Sequence, residues 1–210
     1  MEALVMAGGK GTRMGKCGLE KPLQVIGVKH TVMRVVEALS GSKNIDRVLV
    51  SVSSNTPGTE RYLKNWSVET IRTSGEGYVE DLHAALSTMS GKYVISSPSD
   101  LPLLRTYTID AFIDFFNKKK ADSAIAVVDK DTVINTGIMP SYLMELGGKE
   151  WVISGLCILD REKTLSGQYL DERYFKTDWV DLAINVNTNH ELEMTRQFFA
   201  DYTKYANFRY

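Results

Sequence analysis

Cysteine is scarce in this chain, which has only Cys17 and Cys157 among 210 residues. Two cysteines are too few for the disulfide framework of a small secreted domain, so the scarcity predicts a reducing compartment, and we expect a cytoplasmic protein. Neither cysteine stands at a metal-ligand spacing with His30, His83 or His190. A structural zinc site of the Cys/His type is therefore not expected.

Excess charge and long apolar runs are also missing. The chain has 25 Lys and Arg against 26 Asp and Glu, a formal net charge of -1, which argues against nucleic acid or an anionic membrane as the main partner. No apolar run approaches the roughly 18 residues of a membrane-spanning helix, and we expect no signal peptide. The ordinary composition predicts one globular domain over residues 1–200, followed by a tail at 201–210.

Glycine, in contrast, is concentrated in the phosphate loop that we predict between Met6 and Pro22, MAGGKGTRMGKCGLEKP. This loop directly follows the apolar run Ala3–Met6, which reads as the first strand. Within residues 7–16 it interleaves four glycines with Lys10, Arg13 and Lys16. Glycines let backbone N–H groups approach an anion, and the cations supply positive charge, so the pattern favours nucleotide phosphates.

Two common phosphate loops are excluded by counting. A Walker A loop needs glycine five positions before Gly15 and Ser or Thr after Lys16, but Lys10 and Cys17 stand there. A dinucleotide fingerprint needs its third glycine at the position of Met14. The sequence therefore predicts neither a P-loop hydrolase nor a dinucleotide dehydrogenase.

Apolar runs typical of buried strands alternate with amphipathic runs up to residue 128. This alternation predicts an α/β fold, a Rossmann-like and mostly parallel sheet with helices on both faces. The predicted strands are Arg47–Val52, Val68–Arg72, Lys92–Ser96 and Ser123–Val128, and the predicted helices are Thr31–Leu39, Thr59–Asn65, Tyr78–Met89 and Thr106–Lys119.

The pattern loosens after Asp129. Thr132–Met139 and Trp151–Leu159 read as extended segments around a turn at 147–148, which predicts a small antiparallel excursion on top of the sheet. Leu182–Val186 reads as a returning strand before a helix that runs from Thr188 to about residue 202. The aromatic and basic tail leaves two alternatives open, an interface that makes a homodimer or a frayed end.

Three segments beyond the first loop hold candidate site residues. Asp100 follows a predicted strand, where it could help to hold Mg²⁺ or simply be an N-cap or turn aspartate before the helix. Asn187 also has two readings: it could form a polar wall of the site, or it could be a plain N-cap. The glycine loop at 73–77 opens a helix, and its backbone near Gly75 and Gly77 could read a nucleotide base or form a plain turn.

The segments MAGGKGTRMG, Lys21-Pro22-Leu23 and PSDLPL resemble the nucleotidyltransferases that make nucleotide-sugars and the guanylylated molybdenum cofactor. TSGEGYVEDL, SSNTP at 53–57 and NVNT near the end sharpen the likeness. With them the chain resembles the archaeal GTP:adenosylcobinamide-phosphate guanylyltransferases, within the MobA-like family, from residue 2 to about 195. The likeness is weak from Asp129 to Lys149. It implies the nucleotide-diphospho-sugar transferase type of fold.

This resemblance implies an enzyme that moves GMP from GTP to adenosylcobinamide phosphate. Asn187 stands where sugar-nucleotide enzymes often have Asp, and an amide holds Mg²⁺ less strongly than a carboxylate, so we expect Mg²⁺ to be weakly held and to arrive with GTP. It implies Arg13, Lys21 and Asp100 as catalytic residues and Asp100 as the metal ligand. The implied nucleotide-binding residues are Met6, Ala7, Gly8, Gly9, Lys10, Gly11, Thr12, Ser53, Asn55, Thr73, Ser74, Gly75, Gly77, Tyr78, Asp81, Gly155 and Asn187. Two alternatives stay open: a molybdopterin or sugar-phosphate acceptor, and a GTP-binding module that transfers nothing.

Overall fold

The computed structural model describes residues 1–15 and 18–206. A mixed sheet forms its centre, and a two-residue hairpin pair lies apart from it. The strands are β1 Glu2–Met6, β2 Val25–Ile26, β3 Lys29–His30, β4 Arg47–Val52, β5 Glu69–Arg72, β6 Tyr93–Pro98, β7 Ser123–Asp129, β8 Leu143–Glu145, β9 Glu150–Asp160 and β10 Glu172–Thr177. The helices are α1 Thr31–Ser40, α2 Pro57–Asn65, α3 Tyr78–Ser87, α4 Thr106–Lys119, α5 Lys130–Asn135, α6 Arg161–Leu165, α7 Val180–Ala183 and α8 Asn189–Ala206.

The strand order β10-β7-β9-β6-β1-β4-β5 confirms the mostly parallel sheet. β1 pairs in parallel with β4 and with β6, while β9 runs antiparallel between β6 and β7. The carboxyl ends of β1, β4, β5 and β6 consequently meet at one edge of the sheet. The prediction of an antiparallel excursion on top of the sheet was wrong in its position, since β9 is inserted into the sheet itself.

Alternation along β1 explains why helices cover both faces. Ala3 and Val5 pack with the apolar sides of α1 and α4, whereas Leu4 packs in a second cluster with Leu82 and Leu86 of α3. Successive side chains of a strand point to opposite faces, so a fully apolar strand requires cover on each side. The helical spacing predicted for α1 and α4 is confirmed, with their apolar stripes buried.

Two predicted strands are partly helical. Thr132–Met139 was predicted to be extended, but α5 occupies its first part, because the Asp129 carboxylate accepts the backbone N–H groups of Asp131 and Thr132. Such capping stabilises a helix start and here outweighs the β-branched residues. Leu182–Val186 was also predicted to be a strand, yet α7 ends inside it at Ala183.

The strand that returns to the sheet is β10, which pairs in parallel with β7 at the sheet edge. Its sequence, ERYFKT, mixes charged and aromatic residues, as an exposed edge strand tolerates, and so carries no strong apolar signal. The turn at 147–148 is confirmed. The strand that pairs with β9 across that turn is β8, however, and not the predicted segment Thr132–Met139.

The tail continues α8 as far as Ala206, and residues 207–210 lie outside the described part, as does Cys17. Among the described residues, no helix is long and apolar enough to cross a membrane.

Candidate active site

Lys21, Asp100 and Asn187 meet at the carboxyl edge of the sheet. The Lys21 ammonium donates to Asp100 Oδ2 at 2.5 Å and to Asn187 Oδ1 at 2.9 Å. The side chains of Lys21 and Asp100 are only 17% and 13% exposed. Three residues that lie far apart in the sequence thus form one charged centre, in which little water screens the cation.

Glu20 holds the segment that carries Lys21, and the sequence analysis did not single it out. Its carboxylate accepts the backbone N–H groups of Gly58 and Thr59, each at 2.7 Å, and the Thr59 hydroxyl at 2.6 Å. These groups are at the N-terminus of α2, which favours a negative charge. A Cβ on Gly58 would lie 2.9 Å from Glu20 Oε1, so a glycine there permits the contact.

Asn185 orients Asp100, and it is not among the site residues that the sequence predicted. Its amide donates to Asp100 Oδ1 at 3.3 Å and to the Ser154 carbonyl at 3.1 Å, while Val186 N–H donates to the Asp100 carbonyl at 3.0 Å. Asp100 is thereby fixed to β9 and to the strand-like segment after α7. Asp100 is not a helix cap, because Arg105 occupies the N-cap position of α4, but it does lie in a turn after β6.

Asn187 is not the N-cap of α8, because Thr188 stands at that position. Thr188 and Glu191 form a capping box for α8: the Thr188 hydroxyl accepts Glu191 N–H at 3.2 Å, and the Glu191 carboxylate accepts Thr188 N–H at 2.8 Å. The same carboxylate accepts Asn187 N–H at 2.7 Å. The Asn187 side chain therefore remains turned toward Lys21.

Two adjoining clefts, of about 250 and 360 Å³, surround this centre. Lys10, Arg13 and Lys21 line both clefts, so cations face the space where the predicted phosphates would lie. Of the predicted site residues, the clefts bring together Met6, Ala7, Gly8, Gly9, Lys10, Gly11, Thr12, Arg13, Lys21, Gly75, Gly77, Tyr78, Asp81, Asp100 and Asn187.

The remaining predicted residues stand behind the cleft walls. Ser53 Oγ donates to the Gly8 carbonyl at 2.6 Å, and Asn55 Nδ2 donates to the carbonyls of Gly8 and Gly75 at 3.3 and 3.1 Å. Thr73 pairs with the Ser51 hydroxyl at 3.0 Å. Through these bonds the phosphate loop is held to the Gly75 loop, so the residues support the structure of the site.

Gly155 belongs with that scaffold. It adopts φ +90° in β9, and a Cβ there would lie 3.0 Å from Pro98 Cγ, whose residue lines both clefts. Only a residue without a side chain lets β9 approach the end of β6 this closely.

The loop at 73–77 is closed by Asp81. Its buried carboxylate accepts Ser74 Oγ and Gly75 N–H, both at 2.9 Å. Asp81 sits in the first turn of α3, where a carboxylate also interacts favourably with the helix dipole. The loop is therefore preorganised, with backbone groups of Gly75 and Gly77 along the cleft.

Tyr78 spans from this loop to β9. Burial of its hydroxyl near Ser96 and Cys157 raises its pKa, although more than half of the whole residue is exposed. Burial likewise raises the pKa of the Cys157 thiol to about 12. Neither group is ionised near neutral pH, so neither serves as a base for chemistry in the cleft.

A divalent metal fits this site only if a second group, such as a bound phosphate, supplies further oxygen ligands. Among the described residues, no group of three or more His, Cys, Asp or Glu side chains could hold a metal ion. Asp100 offers one carboxylate in the cleft, and the oxygens of an ionised carboxylate can accept several contacts beyond those from Lys21 and Asn185. One carboxylate with phosphate oxygens and waters is a normal Mg²⁺ environment.

A sequence model of the MobA-like NTP transferase domain matches residues 3–178. The chain belongs to the MobA-like NTP transferase family. It is 39% identical over 204 residues to the adenosylcobinamide-phosphate guanylyltransferase of Methanocaldococcus jannaschii, a match that covers 92% of this chain and 95% of the relative. It is 25% identical over 198 residues to the molybdenum cofactor guanylyltransferase of Burkholderia vietnamiensis, covering 86% and 92%.

Solved structures agree on the fold of this MobA-like chain. A CMP:2-keto-3-deoxy-manno-octonic acid synthetase complexed with CTP superposes with a TM-score of 0.74 at 14% identity, covering 96% of this chain and all of that one. A hypothetical transferase from Thermus thermophilus superposes with a TM-score of 0.71 at 19% identity, covering 91% and 100%. The chain is a nucleotidyltransferase by family, and these solved structures share its fold.

Gly75→Ala tests the preorganised loop. Gly75 has φ +73°, and an added Cβ would lie 2.4 Å from Asn55 Nδ2 and 2.5 Å from Ser53 Oγ, so the loop must shift. We expect nucleotide affinity to fall by about tenfold or more, which corresponds to about 1.4 kcal/mol. The matched control is Gly167→Ala, with φ +68° and nothing within 4 Å of the added Cβ. Equal nucleotide titrations for the two variants would contradict this role for the loop.

Proposed function

We propose that this protein transfers GMP from GTP to the phosphate of adenosylcobinamide phosphate and releases pyrophosphate. The observation that carries the proposal is the 39% identity, over nearly the full length of both chains, to the relative named for that activity. The grouping of Lys21, Asp100 and Asn187 beside the phosphate loop supports it.

The chemistry needs little from the protein beyond placement and charge. An oxygen of the acceptor phosphate attacks the α-phosphorus of GTP and forms a new P–O–P bond, while the bond to the β-phosphate breaks and its electron pair leaves on pyrophosphate. A phosphate monoester is already largely ionised near pH 7, so no general base has to remove a proton. Catalysis then rests on positioning and on neutralising charge in a poorly hydrated site.

We assign the charged residues by their places in the cleft. Arg13 and the backbone of residues 8–11 hold the β- and γ-phosphates, and Lys21 neutralises charge at the α-phosphate and the bridging oxygen. Asp100 would hold Mg²⁺ that arrives with GTP, with Asn187 as a neutral neighbour, and a bound ion would supply positive charge for the phosphoryl oxygens and the leaving pyrophosphate.

A panel of acceptors tests the proposal. Protein, GTP and Mg²⁺ are incubated with adenosylcobinamide phosphate, molybdopterin or a sugar phosphate, and pyrophosphate is measured. We expect release only with adenosylcobinamide phosphate. Release with another acceptor would transfer the assignment to that substrate, and tight GTP binding without release under any acceptor would make the protein a binding module.

The base preference is tested by thermal shift. A ligand at a hundred times its dissociation constant stabilises the fold by about 2.7 kcal/mol, so GTP should raise the melting temperature by several degrees more than ATP. Equal shifts with GTP and ATP would contradict the guanylyl assignment.

The location and organisation of the chain are part of the same proposal. Because the reaction consumes GTP, and cysteine is scarce, we infer a cytoplasmic protein. We keep residues 1–200 as one catalytic unit and the tail at 201–210 as the candidate homodimer contact.

A further inference from the structure

The first turn of α2 is capped by a residue from outside the helix. Thr56 stands at the N-cap position of α2, but its hydroxyl accepts the Ser53 N–H at 3.1 Å. Glu20, which lies 38 residues before Gly58, supplies the acceptor instead, and its carboxylate takes the N–H groups of Gly58 and Thr59. A cap oxygen normally belongs to the N-cap residue itself, so this contact joins two separate segments of the chain.

The turn that leads into α2 holds the two nucleotide loops. Ser53 Oγ donates to the Gly8 carbonyl, and Asn55 Nδ2 donates to the carbonyls of Gly8 and Gly75. The Thr56 N–H donates to the Ser53 carbonyl at 3.0 Å, which closes the turn immediately before the helix. The start of α2 is therefore fixed relative to both loops.

Lys21 lies at the other end of this link. It directly follows Glu20, and its ammonium donates to Asp100 and Asn187. A lysine side chain is long and flexible, so the place of its ammonium depends on the fixed position of its backbone as well as on its partners. Glu20 fixes that backbone to α2. Because the Glu20 carboxylate accepts three hydrogen bonds there, its charge is engaged at the helix rather than at the neighbouring ammonium.

We propose that Glu20 is a positioning residue for nucleotidyl transfer and acts through Lys21. The contacts run from the nucleotide loops through the turn at 53–56 and Glu20 to the charged centre, and they set the distance between the Lys21 ammonium and the α-phosphate of the bound nucleotide. This inference rests on the proposed function, in which Lys21 neutralises charge at the α-phosphate. Placement of this kind has a large effect on rate, since a displacement of about 1 Å can cost about 100-fold.

Steady-state kinetics of Glu20→Gln provide the first test. The amide has one acceptor oxygen where the carboxylate has two, so the N–H of either Gly58 or Thr59 loses its acceptor. We expect kcat to fall by about 10- to 100-fold, while the KM for GTP and the GTP thermal shift stay near wild-type values, because the loops keep their own contacts.

Asp160→Asn is the matched control for Glu20→Gln. The Asp160 carboxylate caps α6 by accepting Lys163 N–H at 3.1 Å, and it lies beside Tyr93 at the edge where β6 begins, opposite the charged centre. This variant also removes a charged helix cap. Its melting temperature should fall while its kcat stays at the wild-type value.

Gly58→Ala disturbs the same contact without altering Glu20. The added Cβ would lie 2.9 Å from Glu20 Oε1, so the carboxylate must shift. Alanine favours a helix more than glycine does, which offsets the weakened cap, so the melting temperature should stay near the wild-type value. The kcat should nevertheless fall, by a smaller factor than in Glu20→Gln. A wild-type kcat in Gly58→Ala would contradict the proposal.

A double-mutant cycle with Lys21→Ala decides whether Glu20 acts through Lys21. Glu20→Gln should leave the low kcat of Lys21→Ala unchanged, since that background has no ammonium to position. A purely structural contribution would lower kcat by the same factor in both backgrounds. That result, a wild-type kcat in Glu20→Gln, or a raised KM for GTP at unchanged kcat overturns the inference.

The cycle also separates this inference from the proposed function. Gly58→Ala takes the place of Glu20→Gln in the cycle if thermal melts show that Glu20→Gln does not fold, and the same two outcomes then decide. A wild type that releases pyrophosphate only with a different acceptor overturns the proposed function, and the cycle is then measured with that acceptor. Non-additive kinetics with that acceptor would still support Glu20 as the positioning residue.

Discussion

Lys21→Ala should lose nearly all turnover while it keeps the ability to bind GTP. Its ammonium is the cation held directly between Asp100 and Asn187, and it is well shielded from water. Removing one preorganised group that stabilises transition-state charge commonly costs about 2.7–4 kcal/mol of barrier, a drop of about 10² to 10³ in kcat. GTP should still bind, because Arg13, Lys10 and the loop backbone remain.

The control for this prediction is Lys29→Ala, which removes an exposed lysine paired with Glu37. Its turnover should match the wild type, because exposed ion pairs contribute little. The loss of Lys21 also leaves the Asp100 carboxylate without its cation, so thermal melts must accompany the kinetics, and we expect a cost of about 1–3 kcal/mol. Near-normal kcat in Lys21→Ala would contradict the assignment of this lysine to the reaction.

Asp100→Asn should show the second large effect. The substitution keeps the shape of the side chain but removes its charge, and a neutral amide binds Mg²⁺ less strongly than a carboxylate. Since the loss of even an outer partner of a metal ligand commonly costs about 10- to 100-fold, we expect kcat at low Mg²⁺ to fall by at least about 100-fold. High Mg²⁺ should recover part of the activity.

Asp110→Asn is the matched control for Asp100→Asn. Asp110 lies on α4, away from the clefts, and its part-buried carboxylate accepts hydrogen bonds from Ser42 Oγ and Asn44 Nδ2. It is therefore a similar carboxylate whose contribution is structural alone. Its kinetics and Mg²⁺ dependence should follow the wild type even if its melting temperature falls. An Asp100→Asn variant with wild-type turnover at every Mg²⁺ concentration would exclude Asp100 as the metal residue.

The first half of the chain could be predicted from the sequence because local signals and burial agree there. Val5 and Leu4 need cover on opposite faces of β1, and the periodic apolar stripe of α4 provides part of it. The phosphate loop follows from its glycines and cations together. Where strands are parallel, their carboxyl ends share one edge, so the meeting of Lys21 and Asp100 could be anticipated.

The second half could not be predicted as well because long-range contacts decide its structure. β10 has a mixed sequence and is a strand only because it pairs with β7, and α5 forms where the Asp129 side chain caps it. Glu20 and Asn185 were missed for a similar reason. Each is an ordinary polar residue in the sequence, and its importance arises from partners on α2 and β9. The signals available were the position of Glu20 directly before Lys21 and the membership of Asn185 in the NVNT motif.

The most direct test of the account follows the α-phosphate itself. Protein, Mg²⁺ and GTP labelled at the α-phosphorus are mixed with adenosylcobinamide phosphate, and the label is located by chromatography while pyrophosphate is counted. The account predicts one label in the acceptor-derived product for each pyrophosphate released, with none bound to the protein. Label recovered only as GTP or GMP, with no labelled acceptor product, would contradict it.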